Sequence, residues 1–312
     1  MKLGIVVPCY NEEEVLHETT KRLSDLFSRL IDAGKIDSES FICYVDDGSK
    51  DKTWEMIEEI TQTQSHFKGI KLSRNFGHQN ALLAGLMQLK NSADALISMD
   101  ADLQDDIELV WEFVAKYQEG YEIVYGVRED RSSDSRFKRG TAESFYKLQH
   151  IMGIETVHNH ADYRLMSSRA LEALSEFKEI NLFLRGIIPM IGFRSTNVYY
   201  TRSERFAGES KYPFKKMLFF ALDGIASFSV TPLRFITITG FVIFVLSLFM
   251  IGWILFDKFV LDSTVQGWAS TMVSIYFIGG IQMISLGLIG EYMGRTFQQV
   301  KERPRYFIDK EI

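Results

Sequence analysis

Leu3-Gly4-Ile5-Val6-Val7-Pro8-Cys9-Tyr10-Asn11-Glu12 is the stretch on which the fold turns. An apolar run rich in β-branched residues, closed by proline, reads as a buried strand. A dinucleotide-binding domain would follow that strand with Gly-x-Gly-x-x-Gly, and a P-loop would need Gly-Lys-Ser/Thr; neither is present. Four further β-rich runs follow at 41–45, 69–72, 95–99 and 123–127. Between them Val15, Leu16, Leu23, Leu26, Phe27, Leu30 and Ile31, then Trp54, Ile57 and Ile60, recur at helical spacing. The expected class is therefore α/β, a Rossmann-like parallel sheet with helices on both faces. Such sheets bind ligands outside the carboxyl ends of their strands, where the polar motifs of this chain fall.

The 312 residues carry a net charge of −6, which gives no basic field for nucleic acid; no nucleic-acid partner is expected. Cys9 and Cys43, the only cysteines, sit in apolar runs without Cys-x-x-Cys pairing and read as small core residues in a reducing compartment.

A mean hydropathy near zero conceals two unlike parts, a charged stretch to about residue 230 and an apolar tail. Residues 235–256 and 263–290 carry no charge, and each run is long enough to cross a hydrocarbon core of roughly 30 Å. Two spans are expected, at about 235–256 and 267–290, forming a transmembrane hairpin within 233–290. Lys211, Lys215, Lys216 and Arg234 flank it on one side and Arg295, Lys301, Arg303 and Arg305 on the other. By the positive-inside rule both flanks are cytoplasmic. Residues 213–232 mix Phe214, Met217, Leu218 and Phe219 with Lys215 and Lys216 and read as an interfacial amphipathic helix. The organisation expected is a cytoplasmic catalytic domain over 1–212, that helix, the hairpin, and a cytoplasmic tail over 291–312.

The most specific motif is Asp100-Ala101-Asp102-Leu103-Gln104, directly after an apolar strand. Two carboxylates one residue apart at a strand end suit a hard divalent cation that bridges phosphates. Asp105 and Asp106, next along, read instead as charges favouring the start of a helix near Ile107. Asp46-Asp47-Gly48-Ser49 leaves two readings open, a simple turn or a carboxylate that accepts an N–H from a nucleotide base. His158, His160 and Asp162 crowd together without matching a standard zinc spacing.

Five segments in order carry a resemblance: Pro8-Cys9-Tyr10-Asn11-Glu12, Asp46-Asp47-Gly48-Ser49, Leu72-Ser73-Arg74-Asn75-Phe76-Gly77, Asp100-Ala101-Asp102-Leu103-Gln104, and Arg202-Ser203-Glu204-Arg205-Phe206-Ala207-Gly208-Glu209-Ser210-Lys211-Tyr212. Together with the apolar tail they resemble the polyprenyl-phosphate glycosyltransferases. These are inverting family-two enzymes of GT-A fold, among them the bactoprenol glucosyltransferases of the GtrB type and dolichyl-phosphate mannose synthase. The resemblance implies a nucleotide-sugar site of Pro8, Tyr10, Asn11, Glu12, Asp47, Arg74, Asp100, Ala101 and Arg128. It implies Mg²⁺ or Mn²⁺ on Asp102 and Gln104, and a lipid-phosphate site of Arg131, Arg202, Arg205, Ser210 and Lys211. Asp100, Asp102 and Asp162 become the candidate catalytic residues.

The reaction implied is inverting transfer of one hexose from a nucleotide-sugar to polyprenyl phosphate, with nucleoside diphosphate released. The acceptor already carries an anionic oxygen near neutral pH, since its second pKa is about 6 by analogy with phosphoamino acids, so positioning and electrostatics should dominate. UDP-glucose and undecaprenyl phosphate are the expected substrates; UDP-galactose, UDP-N-acetylglucosamine and GDP-mannose, with a dolichol acceptor, are the alternatives. A processive synthase would need Gln-x-x-Arg-Trp, and no tryptophan here follows an arginine. A non-catalytic scaffold would release no nucleoside diphosphate. The family and the glycine-bearing spans also imply a homo-oligomer.

Overall fold

A computed structural model of the chain describes residues 1–128, 160–179, 183–201 and 267–312, together with 233, 236–243, 245, 246, 249, 253 and 256. In chain order the elements are β1 (Leu3–Cys9), α1 (Leu16–Asp32), β2 (Phe41–Asp46), α2 (Thr53–Thr63), β3 (Phe67–Leu72), α3 (His78–Leu89), β4 (Ala95–Ser98), α4 (Leu109–Gln118) and β5 (Ile123–Arg128). Then come β6 (His160–Ser167), α5 (Ser168–Ser175), α6 (Leu184–Met190), β7 (Ser195–Tyr200), α7 (Trp268–Val300) and β8 (Ile308–Glu311).

The strands form one sheet in the order β7-β5-β6-β4-β1-β2-β3-β8. β1 and β2 are buried along their whole length, as strands covered on both faces must be, which is why they read as unbroken apolar runs. α1 buries Leu16, Leu23, Leu26, Phe27 and Leu30 and turns Lys21, Arg22, Asp25 and Arg29 outward. Each such fully buried aliphatic or aromatic side chain contributes about 1.5–3 kcal/mol. The five expected strands are all present, within two residues at either end.

The sheet is mixed rather than parallel. β6 is antiparallel to both β4 and β5 and lies between them, and β8 runs antiparallel along the edge of β3. Gly126 lets β5 and β6 approach closely, because a Cβ there would lie 2.9 Å from the Tyr163 carbonyl oxygen. The insertion of β6 matters for chemistry: it brings Asp162 and Arg164 beside the end of β4.

The chain divides into two compact units. One holds the sheet and includes Pro304–Ile312; the other holds Phe214–Arg303. The interfacial helix expected over 213–232 lies outside the described residues, and the first expected span is described at 236–243, 245, 246, 249, 253 and 256. The second falls within α7, a helix of 33 residues whose Phe277, Met283, Ile284, Leu286 and Met293 are exposed. Among the described residues no helix combines the length and apolarity needed to cross a membrane, so the expected hairpin is not seen. Within the stretch 291–312, α7 continues to Val300 and the last residues join the sheet as β8. Its polar sequence, Ile-Asp-Lys-Glu, suits an exposed edge and carries no alternation that would announce a strand.

Candidate functional site

The carboxyl ends of β1, β2 and β4 lie side by side, and the loops leaving them are bonded to one another. The amide of Asn11 donates to Ser49 Oγ at 3.0 Å, and Asn11 Oδ1 accepts from the Lys50 amide at 2.9 Å. Asn11 takes a positive φ of 55°, a conformation asparagine tolerates better than most residues. The amide of Glu12 donates to Thr53 Oγ1 at 2.9 Å, tying the same loop to the start of α2.

The two carboxylates of the acidic pair have different partners. Asp46 is buried and accepts from the Ser49 amide at 3.2 Å, which is the turn. Asp47 reaches the other way: its Oδ1 accepts from the Phe76 amide at 2.7 Å and its Oδ2 from the Gly77 amide at 2.9 Å. Burial pushes the Asp47 carboxyl up, while those two amides favour the ionised form. Gly48, at φ +67°, touches the same loop; a Cβ there would lie 2.5 Å from the Arg74 carbonyl carbon and 2.6 Å from the Asn75 nitrogen. Only glycine fits, and residues 73–77 are thereby clamped against the end of β2.

At the end of β4, the Met99 amide donates to the Val6 carbonyl at 3.1 Å, and the buried Thr19 Oγ1 of α1 donates to the Ala101 carbonyl at 2.9 Å. The turn beyond carries Leu103 at φ 56° and is closed by the Gln104 amide donating to Asp102 Oδ1 at 3.2 Å. Asp100 is pushed up to about 6, chiefly by burial and further by Asp162, Asp105 and Asp102; His78 opposes the shift.

Asp162 is the hub of the site. Its Oδ1 accepts from Arg164 Nη2 and, at 3.3 Å, from Arg185 Nε; its Oδ2 accepts from Arg185 Nη2 at 3.1 Å and from Gln79 Nε2 at 3.3 Å. His78 Nε2, at the first position of α3, lies 3.4 Å from Asp100 Oδ1 and 3.9 Å from Asp162 Oδ2. Ser98 Oγ donates to the Asp162 carbonyl at 2.6 Å. Burial alone would raise this carboxyl, but Arg185 and Arg164 outweigh it and hold Asp162 well below the ordinary carboxylate range. Arg164 is wholly buried, and its Nε and Nη1 have no hydrogen-bond partner. Its charge is therefore tolerated chiefly through Asp162.

A second pairing corrects the helix-start reading of Asp105. That residue is buried and accepts from Arg128 Nη2 at 3.0 Å and from the Tyr200 hydroxyl, which also accepts from Arg128 Nε at 3.1 Å. α4 begins only at Leu109. Asp106 does serve the approach to it, its Oδ1 accepting from the Glu108 amide at 3.0 Å.

Comparison with known proteins decides what this constellation belongs to. The family described as Glycosyl transferase family 2 matches residues 4–175, and the GtrB C-terminal hairpin matches residues 231–296. The chain belongs to glycosyl transferase family 2. Its relatives include the uncharacterized glycosyltransferase YkoT of Bacillus subtilis (strain 168), 53% identical over 99% of this chain and 92% of that one. They also include the prophage bactoprenol glucosyl transferase homolog of Escherichia coli (strain K12), 39% identical over 99% of each chain. The bactoprenol glucosyl transferase of Shigella phage SfII is likewise 39% identical, over 99% of this chain and 98% of its own.

In this glycosyltransferase the candidate metal ligands are hard oxygens, a carboxylate from Asp102 and an amide from Gln104. That donor set suits Mg²⁺ or Mn²⁺, which commonly take one or two protein oxygens and complete their shell with phosphate and water. Among the described residues no group of three or more His, Cys, Asp or Glu is placed to hold a metal ion. Cys9 and Cys43 are buried free thiols, and burial pushes Cys43 up to about 12.

The structure brings together Pro8, Asn11, Glu12 and Asp47 at the ends of β1 and β2, and Asp100, Ala101, Asp102, Gln104 and Asp162 at the ends of β4 and β6. Tyr10 is exposed beside them, and Arg74 lies over the Phe76 ring at 4.0 Å. Arg128 is held at the end of β5. Arg131, Arg202, Arg205, Ser210 and Lys211 lie outside the described residues. Sequence reasoning missed His78, Gln79, Arg164 and Arg185. His78 directly follows the quoted Leu72–Gly77 segment, and Arg164, two residues beyond Asp162 on a strand, shares its face. Arg185 has no local signal.

Proposed function

We propose that the protein transfers one hexose, with inversion and with a divalent metal, from UDP-glucose to polyprenyl phosphate at the cytoplasmic face of a membrane. The products are a polyprenyl-phosphate sugar and UDP, used in modifying a cell-envelope glycan. The observation that carries this reading is the convergence of Asp47, Asp100, Asp102 and Asp162 at adjoining strand ends, with Arg185 and His78 beside them. Full-length similarity to bactoprenol glucosyl transferases supports the acceptor. Undecaprenyl phosphate is the acceptor proposed, with a homo-oligomer as the working assembly.

In this reading Pro8, Tyr10, Asn11, Glu12 and Arg74 surround the nucleoside, and Asp47 both fixes the loop beside it and offers remaining lone pairs to the base. Asp102 and Gln104 hold the metal. When bound, that metal neutralises charge building on the departing diphosphate. Arg128, oriented by Asp105 and Tyr200, faces the phosphates as a fixed cation, in the manner guanidinium groups favour. Asp162 keeps Arg164 and Arg185 in position rather than removing a proton. Arg131, Arg202, Arg205, Ser210 and Lys211 are proposed to receive the lipid phosphate.

Membrane attachment is proposed through two spans at about 235–256 and 267–290, following the interfacial helix. β8 supports a hairpin: it pairs with β3, so the end of the chain lies on the same side as the catalytic domain. A cysteine introduced at Asp262, with Cys9 and Cys43 replaced, should then react with an impermeant reagent in intact cells. Reaction of one at Asp309 instead would overturn the topology.

The sugar is tested by competition. With UDP-glucose, UDP-galactose, UDP-N-acetylglucosamine and GDP-mannose supplied together, each labelled differently, UDP-glucose should be consumed fastest. Preferential use of GDP-mannose would move the protein to the mannosyl-transfer alternative.

A further inference from the structure

The end of the chain does more than cover a strand edge. Residues 304–312 run back along β3 as a strap, with Gly69 and Ile312 exchanging two amide hydrogen bonds of 2.9 Å each. The pairing shifts register between Lys71 and Leu72, and beyond that shift the strap leaves the regular ladder. There the Ser73 amide donates to the Phe307 carbonyl at 3.0 Å, and the Phe307 ring lies 6.3 Å from the ring of Phe76. Arg305 Nη2 donates to the Phe177 carbonyl at 2.7 Å, pinning the start of the strap to the chain beyond α5.

Ser73 to Gly77 is thus held from two sides. Asp47 and Gly48 grip it from the end of β2, and Phe307 grips it from the strap. This loop carries Arg74, a candidate nucleotide contact, and it delivers His78 to its position facing Asp100 and Asp162. We infer that the C-terminal strap is a positioning element of the donor site, acting through Phe307 on the loop 73–77. The inference rests on the proposed donor reading and deepens it. Phe307 itself remains 56% exposed. The strap follows α7 after only a few residues, so the geometry of the donor loop is covalently tied to the end of the hairpin segment.

The competing account is that β8 only protects the β3 edge from pairing with other chains, for which its charged side chains would suffice. Three variants of the full-length protein separate the two. Phe307→Ala removes the ring that meets Phe76; Phe307→Tyr keeps it; Lys310→Ala breaks only the exposed Lys310–Glu58 pair on the strap. Since Phe307 is more than half exposed, none of these changes should unfold the chain.

For Phe307→Ala, the KM for UDP-glucose should rise about three- to tenfold, the range corresponding to one lost aromatic contact, with kcat changed less. Amide exchange at Ser73 and Gly77 should quicken in the same variant. Phe307→Tyr should restore both readouts, and Lys310→Ala should leave both unchanged. A donor KM within twofold of the parent in Phe307→Ala, or an equal loss in Lys310→Ala, would reduce the strap to an edge cover. If the parent itself transfers no sugar, the proposed function fails. The strap is then judged by calorimetric affinity for UDP and GDP and by exchange at Ser73 and Gly77: unchanged values in Phe307→Ala overturn it, and weaker affinity with faster exchange supports it.

Discussion

Asp102→Asn is expected to lower turnover by a factor on the order of 10²–10³, the range seen when one group that stabilises developing charge is deleted. Asp102 sits in a partly exposed turn held by the Met99 amide on Val6, by Thr19 on the Ala101 carbonyl and by the Gln104 amide on Asp102 Oδ1, a bond that the Oδ1 of asparagine still accepts. Its charge is therefore not required for folding, and thermal stability should stay within about 0.5 kcal/mol of the parent. Initial rates at saturating donor, with Mg²⁺ or Mn²⁺ titrated, make the comparison. Chelation should silence the parent, and added metal should restore it. Near-normal turnover of the variant under limiting metal would remove Asp102 from the metal site.

Asp162→Asn should act on stability and catalysis together. The substitution leaves Arg164 buried with no ionised partner and Arg185 without its main one. Breaking one side of a buried ion pair costs about 3–5 kcal/mol, and Tm should fall by roughly 10 °C in a domain of this size. The pH dependence follows from the direction of the shift. A carboxyl held below its ordinary value of about 3.9 contributes stability that is fully present above that pH and is lost as pH falls through its native value. The parent should therefore lose this contribution only in acid, and the variant should have none to lose. A carboxylate so strongly held by two guanidinium groups is also a poor proton acceptor, since an effective general base titrates near the working pH. Activity of the variant, measured below its melting temperature, should be reduced by a nearly constant factor from about pH 6 to 9, a range above the second phosphate pKa. Recovery of the rate at high pH with unchanged donor affinity would identify Asp162 as a general base after all.

How far the sequence reveals this arrangement depends on the element. β1, β2, β4 and β5 are legible because strands buried on both faces leave continuous apolar runs. β6 is not, because Asp162 and Arg164 interrupt its apolar character for the sake of the site, and β8 is a charged edge. Asp100 and Asp102 are legible because an acidic pair directly follows an apolar strand. Asp105 misleads because two acids before a helix suit its dipole; the partner that shows its buried role, Tyr200, is 95 residues away. The side chains around Asp162 come from three separate elements, α3, β6 and α6, and no spacing along the chain links Arg185 to His78 or to Asp162. The clamp on residues 73–77 depends on the last residues of the chain, so no local pattern could announce it.

The central claim, transfer of a hexose onto a lipid monophosphate, is tested most directly with the purified full-length protein, radiolabelled UDP-glucose and undecaprenyl phosphate in detergent, with and without Mg²⁺. Label should move into the organic phase only when both lipid phosphate and metal are present, with one UDP released per sugar transferred and the anomeric configuration inverted in the product. UDP release without labelled lipid, or equal labelling when the lipid phosphate is replaced by the free polyprenyl alcohol, would contradict it.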